Sequence, residues 1–128
     1  MDIVVVETGG NDALRALDPD SLEANLQGII EHIKARQPQA RILLATMESP
    51  PNLGASYNRR FREAYSNVAK REKVTLMPFL LDKVAGIDAL NQADAVHPNE
   101  KGERIVADNV WKALEPLVRE VYARRSKG

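Results

Sequence analysis

The chain is 128 residues long, 44% apolar and 28% charged, and eighteen basic residues balance eighteen acidic ones. That length suits one hydrophobic core, and the composition excludes a disordered chain; no window approaches the roughly 18 consecutive apolar residues a membrane span needs. Zero net charge argues against a protein that grips nucleic acid by its phosphates, and the lack of cysteine excludes disulfides, thiolate nucleophiles and cysteine-based zinc sites.

Met1-Asp2 leads directly into Ile3-Val4-Val5-Val6, without the pattern of a signal peptide. Four β-branched residues in a row predict a fully buried strand of a parallel sheet. Glu7 to Asp12 is a glycine-rich turn. Asp18-Pro19 opens a helix, with Asp18 as N-cap and Pro19 at the first helical position. Leu22, Leu26, Ile29, Ile30 and Ile33 share its apolar face, and Glu23, Gln27, Glu31, His32 and Lys34 face water. Pro38 bars its continuation. A second strand runs from Arg41 to Met47 and ends in the stiff loop Glu48-Ser49-Pro50-Pro51-Asn52.

A second helix is predicted from about Ala55 to Arg71, with Tyr57, Phe61, Ala64, Tyr65 and Val68 as its apolar stripe. Lys73 to Pro78 is a short third strand. Phe79 to Val84 suits one or two helical turns, and Gly86 to His97 is mostly irregular. From Pro98 a last helix runs towards Tyr122, with Ile105, Val106, Val110, Leu114, Leu117 and Val121 inward and Trp111 in the core. Pro116 removes one backbone donor inside it. The tail from Arg124 is expected to fray. Alternating strands and helices predict an α/β domain over 1–128 with right-handed crossovers, and such sheets carry their sites at the carboxyl ends of the strands.

Two segments at that edge carry chemistry. In Asp94-Ala95-Val96-His97-Pro98-Asn99, His97 occupies the N-cap position, where histidine is a poor choice. Asp94 can fold back onto one ring nitrogen and leave the other as a general base. The same text also suits a plain Pro-Asn turn. In Gly9-Gly10-Asn11-Asp12, the glycines permit close backbone approach, and the Asn11 amide can donate to a developing oxyanion. That segment also suits a simple strand-to-helix turn. The basic cluster Arg59, Arg60, Arg62, Lys70, Arg71 and Lys73 reads as a solvated face.

Taken together, the Gly-x-Asn-Asp turn after a buried strand and Asp-x-x-His-Pro before the last helix resemble the SGNH, or GDSL-type, hydrolase family. The likeness is to its bacterial thioesterase/lysophospholipase/arylesterase branch. Asn58-Arg59-Arg60-Phe61 and Leu76-Met77-Pro78-Phe79 read like that branch too, so the resemblance runs along the whole chain. It implies a flavodoxin-like three-layer sandwich, here truncated to about three strands. It implies ester or thioester hydrolysis without metal or other cofactor. Asn11 would be the oxyanion donor, His97 the base and Asp94 its orienting partner.

The family's Gly-Asp-Ser block, which holds its nucleophile, has no counterpart here. The expectation is therefore a shortened chain, natural or engineered, that has the last two thirds of the family fold. Among the serines present, Ser49 follows the second strand on the catalytic edge and is the candidate substitute nucleophile. A water activated by His97 is the other route. Two readings follow: a weak esterase acting on short acyl or aryl esters, or a non-catalytic fragment that oligomerises. The expected partners are a small ester and further copies of the chain, with no nucleic acid and no membrane span. The copies would join through the Ile3–Val6 edge or through exposed helix faces such as those of Ile29, Ile33 and Val110.

Overall fold

The structure is a computed structural model that describes residues 1–9, 18–49, 51–79, 90–92 and 98–127. It divides into two compact units, Met1–Met77 and Pro78–Gly128.

The first unit is built from β1 (Ile3–Val6), α1 (Pro19–Arg36), β2 (Arg41–Ala45), a 3-10 turn (Pro51–Leu53), α2 (Ala55–Glu72) and β3 (Thr75–Met77). The three strands form one parallel sheet in the order β1-β2-β3. Ile3 pairs with Arg41 and Val6 with Leu44 across the first ladder; Leu43 pairs with Thr75 and Ala45 with Met77 across the second. Parallel neighbours need a crossover, and each crossover here is a helix. Both crossovers step in the same direction, so α1 and α2 lie side by side on one face.

The pleat decides which strand residues meet those helices. Val4, Val6, Ile42 and Leu44 face them and join Leu22, Leu26, Ile30, Phe61, Ala64, Tyr65 and Val68 in one cluster. Leu26, Ile30, Leu44, Phe61, Tyr65 and Val68 are fully buried there. Leu43 and Ala45 belong to the opposite face of the sheet and are buried as well. The aromatic stripe of α2 stacks along the helix, with ring centroids 6.2 Å apart for Tyr57 and Phe61 and 5.7 Å apart for Phe61 and Tyr65.

The ends of α1 follow the sequence. The Asp18 side chain accepts from the Asp20 N–H, Pro19 sits in the first turn, and Lys34 and Arg36 lie in the last turn. Helix α2 ends on Lys73 in the left-handed conformation, with its N–H bonded to the Ala69 carbonyl. Two apolar placements differ from expectation. β1 is not fully buried, since Val5 is 45% exposed, and Ile29 of α1 is 38% exposed. Both lie towards the side of the sheet where no strand follows β1 among the described residues.

The second unit is described at 78–79, 90–92 and 98–127. Asn91 and Pro98 form an antiparallel bridge, and the Asn99 N–H donates to the Leu90 carbonyl. Helix α3 (Glu100–Lys127) follows and includes Pro116. Its cap is Asn99, whose Oδ1 accepts from the Gly102 N–H at 3.0 Å. The helix therefore starts two residues later than predicted, and His97 is not its N-cap. Asparagine is among the best caps and displaces the earlier start. Leu117 and Val121 are buried as expected, but Trp111 is 48% exposed and not a core residue. The tail expected to fray is helical through Lys127, supported at Ser126, whose hydroxyl donates to the Tyr122 carbonyl. Among the described residues no helix is long and apolar enough to cross a membrane. The helical turns predicted at Phe79 to Val84 fall largely outside the described residues, as does most of Gly86 to His97.

Candidate active site

The parallel sheet aims its carboxyl ends at two loops of the first unit, Glu7 to Gly9 after β1 and Thr46 to Ser49 after β2. Because Val6 pairs with Leu44, the two loops leave the sheet side by side. Their backbones are tied down. The Thr46 N–H donates to the Met77 carbonyl, and the Tyr65 hydroxyl donates to the Thr8 carbonyl at 2.7 Å.

Gly9 is buried, with φ of +108°. A Cβ built there would sit 2.1 Å from the Tyr65 hydroxyl and 3.2 Å from Leu22 Cδ1. Only glycine fits both the conformation and the space. The same hydroxyl that crowds Gly9 holds the carbonyl of Thr8, so one α2 side chain sets the path of the chain as it leaves β1.

On the second loop the Ser49 hydroxyl donates to Asn58 Oδ1, on the first turns of α2. A carboxamide oxygen is a weak base, so this bond positions Ser49 and does not activate it. Glu48 pairs with Arg62 at 3.6 Å on the exposed rim. Thr46 is buried, and its Oγ1 has no hydrogen-bond partner among the described residues.

Of the residues predicted for the site, Gly9 and Ser49 stand on adjacent strand ends. Gly10, Asn11, Asp94 and His97 lie outside the described residues. Sequence reasoning missed Tyr65 as the clamp on Thr8 and Asn58 as the acceptor for Ser49. Tyr65 reads only as one more apolar position of a helical stripe. Asn58 stands inside a stretch noted for its family likeness, which gave no sign of a contact with Ser49.

The parallel sheet thus sets a buried glycine turn and a positioned serine on adjacent loops at its carboxyl edge, where sheets of this class carry their sites. The chain belongs to the GDSL-like lipase/acylhydrolase family, whose model matches residues 1–105. It is 40% identical over 116 residues to Esterase TesA of Pseudomonas aeruginosa, a match that takes in 91% of this chain and 57% of that protein. It is 38% identical over 115 residues to the Thioesterase 1/protease 1/lysophospholipase L1 of Escherichia coli, covering 90% of this chain and 54% of the relative. The chain thus spans just over half the length of these curated relatives. A crystal structure of TesA superposes with a TM-score of 0.82 at 41% identity, over 90% of this chain and 63% of that one. The fold is that of the SGNH hydrolases: α/β, with a parallel sheet of the flavodoxin-like kind.

Proposed function

We propose that the chain is an esterase-type hydrolase for short acyl or aryl esters, with residues 1–128 acting as one hydrolase-like domain. The observation that carries this reading is the pairing of family membership with two adjacent carboxyl-edge loops, one ending in the buried Gly9 turn and the other in Ser49. Gly9 and Gly10 lead into Asn11, the proposed oxyanion donor, and His97 is the proposed base, oriented by Asp94. A neutral amide held beside the reacting carbonyl stabilises the developing charge without a proton of its own. A base whose second nitrogen is fixed by a carboxylate has one defined tautomer.

Ser49 is the proposed nucleophile. To act, it must exchange Asn58 for the imidazole of His97 as its proton acceptor. The Ser49 oxygen would then attack the ester carbonyl while its proton passes to the imidazole. The alcohol would leave with that proton, and water would release the acid by the same sequence.

The test is p-nitrophenyl acetate hydrolysis by the parent chain, His97→Ala and Ser49→Ala. Loss of the base is expected to lower the rate by about 10²-fold or more. A similar loss in Ser49→Ala supports the serine route, whereas an unchanged rate in that variant assigns attack to water activated by His97. Equal rates for the parent and His97→Ala would overturn the enzymatic reading and leave a non-catalytic, oligomerising member of the family.

A further inference from the structure

We propose that Tyr65 is a positioning residue for ester hydrolysis: through the Thr8 carbonyl and against Gly9, its hydroxyl fixes the direction in which the chain carries Asn11 to the reacting carbonyl. This role rests on the reading of Asn11 as the oxyanion donor, and it holds whether Ser49 or water attacks.

The hydroxyl is held by the core. The Tyr65 side chain is fully buried and belongs to the cluster that includes Val6, Leu22 and Phe61. Its ring is tilted by 59° against that of Phe61, with centroids 5.7 Å apart, so the hydroxyl is presented from a fixed ring. From there it donates to the Thr8 carbonyl at 2.7 Å. It also closes on Gly9. A Cβ on that residue would lie 2.1 Å from the hydroxyl oxygen and 3.3 Å from Tyr65 Cζ, while Leu22 Cδ1 would stand 3.2 Å away. The turn after β1 is thus held between a side chain of α1 and one of α2.

That grip falls on the peptide between Thr8 and Gly9. A peptide unit is planar, so a hydrogen bond on its carbonyl restrains the whole plane. Gly9, at φ of +108°, then sets the path onward. Glycine resists rotation little by itself, so the restraint has to come from a neighbour, and Tyr65 supplies it. Asn11 follows two residues on, a reach of at most about 7 Å. Over that lever a rotation of about 10° moves the far end by about 1 Å. A misplacement of that size can cost about 10²-fold in rate. An oxyanion donor works by standing in advance where charge will develop, so its aim decides its worth.

The stripe of α2 gives a reason for a tyrosine at this position. Phe61, one turn earlier, fills the same cluster without a hydroxyl. A phenylalanine at 65 would bury its ring with no polar group to satisfy, whereas a buried tyrosine needs a partner for its hydroxyl. Here that hydroxyl reaches across to the residue that precedes the glycine turn.

The test is steady-state hydrolysis of p-nitrophenyl acetate by the parent, Tyr65→Phe, Asn11→Ala and the double variant. Ile30→Val, which loosens the same core away from the turn, is the control for lowered stability. Asn11→Ala is expected to lower kcat by about 10²-fold or more. Tyr65→Phe should lower kcat by about tenfold and leave KM within about twofold, the pattern of a group needed in the transition state alone. In the Asn11→Ala background the same change should cost less than about twofold, because no donor is left to aim. Ile30→Val should keep the parent kcat. Hydrogen exchange gives a readout that needs no turnover: the Gly9 amide should exchange about tenfold faster in Tyr65→Phe, with the amides of β2 at the parent rate. A parent without turnover, or Asn11→Ala at the parent rate, would overturn the reading of Asn11 and this role with it. With that reading intact, three results would overturn the positioning role alone. They are an unchanged kcat in Tyr65→Phe, a fall that persists in full without Asn11, and an unchanged exchange rate at Gly9.

Discussion

Gly9 is the residue at which sequence, fold and site meet. It holds a positive φ and lies under the hydroxyl that fixes Thr8. Gly9→Ala is expected to cost about 1–3 kcal/mol, from the disfavoured conformation and the displaced tyrosine. Tyr65→Phe removes the hydrogen bond to the Thr8 carbonyl and is expected to cost about 1 kcal/mol. In a double-mutant cycle by urea melting, the two changes should be non-additive, because the phenylalanine gives the new methyl room. Additive costs would show that Tyr65 does not shape the turn. At Ser49 the expectation concerns the acceptor. Asn58→Ala frees the hydroxyl, so the rate of p-nitrophenyl acetate hydrolysis should change in that variant and stay at the parent value in the exposed-surface variant Asn52→Ala.

Between elements, the polar seam of α1 and α2 is the feature most open to pH. The Asn67 amide and the Arg71 guanidinium donate to Glu23 at 3.0 and 2.8 Å. The Gln27 amide donates to Glu72 at 2.7 Å, and Lys34 lies 3.1 Å from it. These donors hold both carboxyls below the usual carboxylate range, chiefly through Asn67 for Glu23 and through Gln27 for Glu72. A carboxyl that titrates lower in the folded than in the unfolded chain adds stability at neutral pH. That contribution fades as pH falls from the ordinary carboxylate range, about 4.3, through the lowered folded value. Melting temperature should therefore fall over that interval. The Glu23→Gln, Glu72→Gln double variant should show a shallower fall than the parent. Parallel pH profiles would show that the seam contributes nothing.

The same helices show what was legible before the structure. The Asp18-Pro19 start, the Pro38 stop and the stripe from Tyr57 to Val68 were readable, because capping and periodicity are local. The exposure of Ile29 was not readable from periodicity, which places a residue on a face without saying what covers it. Trp111 failed for the same reason. The start of α3 was misread by two residues because His97-Pro98 imitates a cap followed by a first turn, and Asn99 caps better. For the site, strand order and chemistry indicated the loops. The bond from Ser49 to Asn58 depends on how a loop meets a helix nine residues on, and no pattern in the chain encodes it.

The order β1-β2-β3 also has a meaning in time. Among the described residues each strand pairs only with the strand before or after it in the chain, and the helix between them is the crossover that permits the pairing. None of these three strands needs a distant partner to pair with its neighbour. A chain emerging N-terminus first can lay down β1, close α1 over it as β2 arrives, and repeat the step with α2 and β3. Loop closure is then met in two short instalments rather than one long one. One apolar face of β2 and of β3 is roofed by the helix made just before it, so that face is covered as the sheet grows.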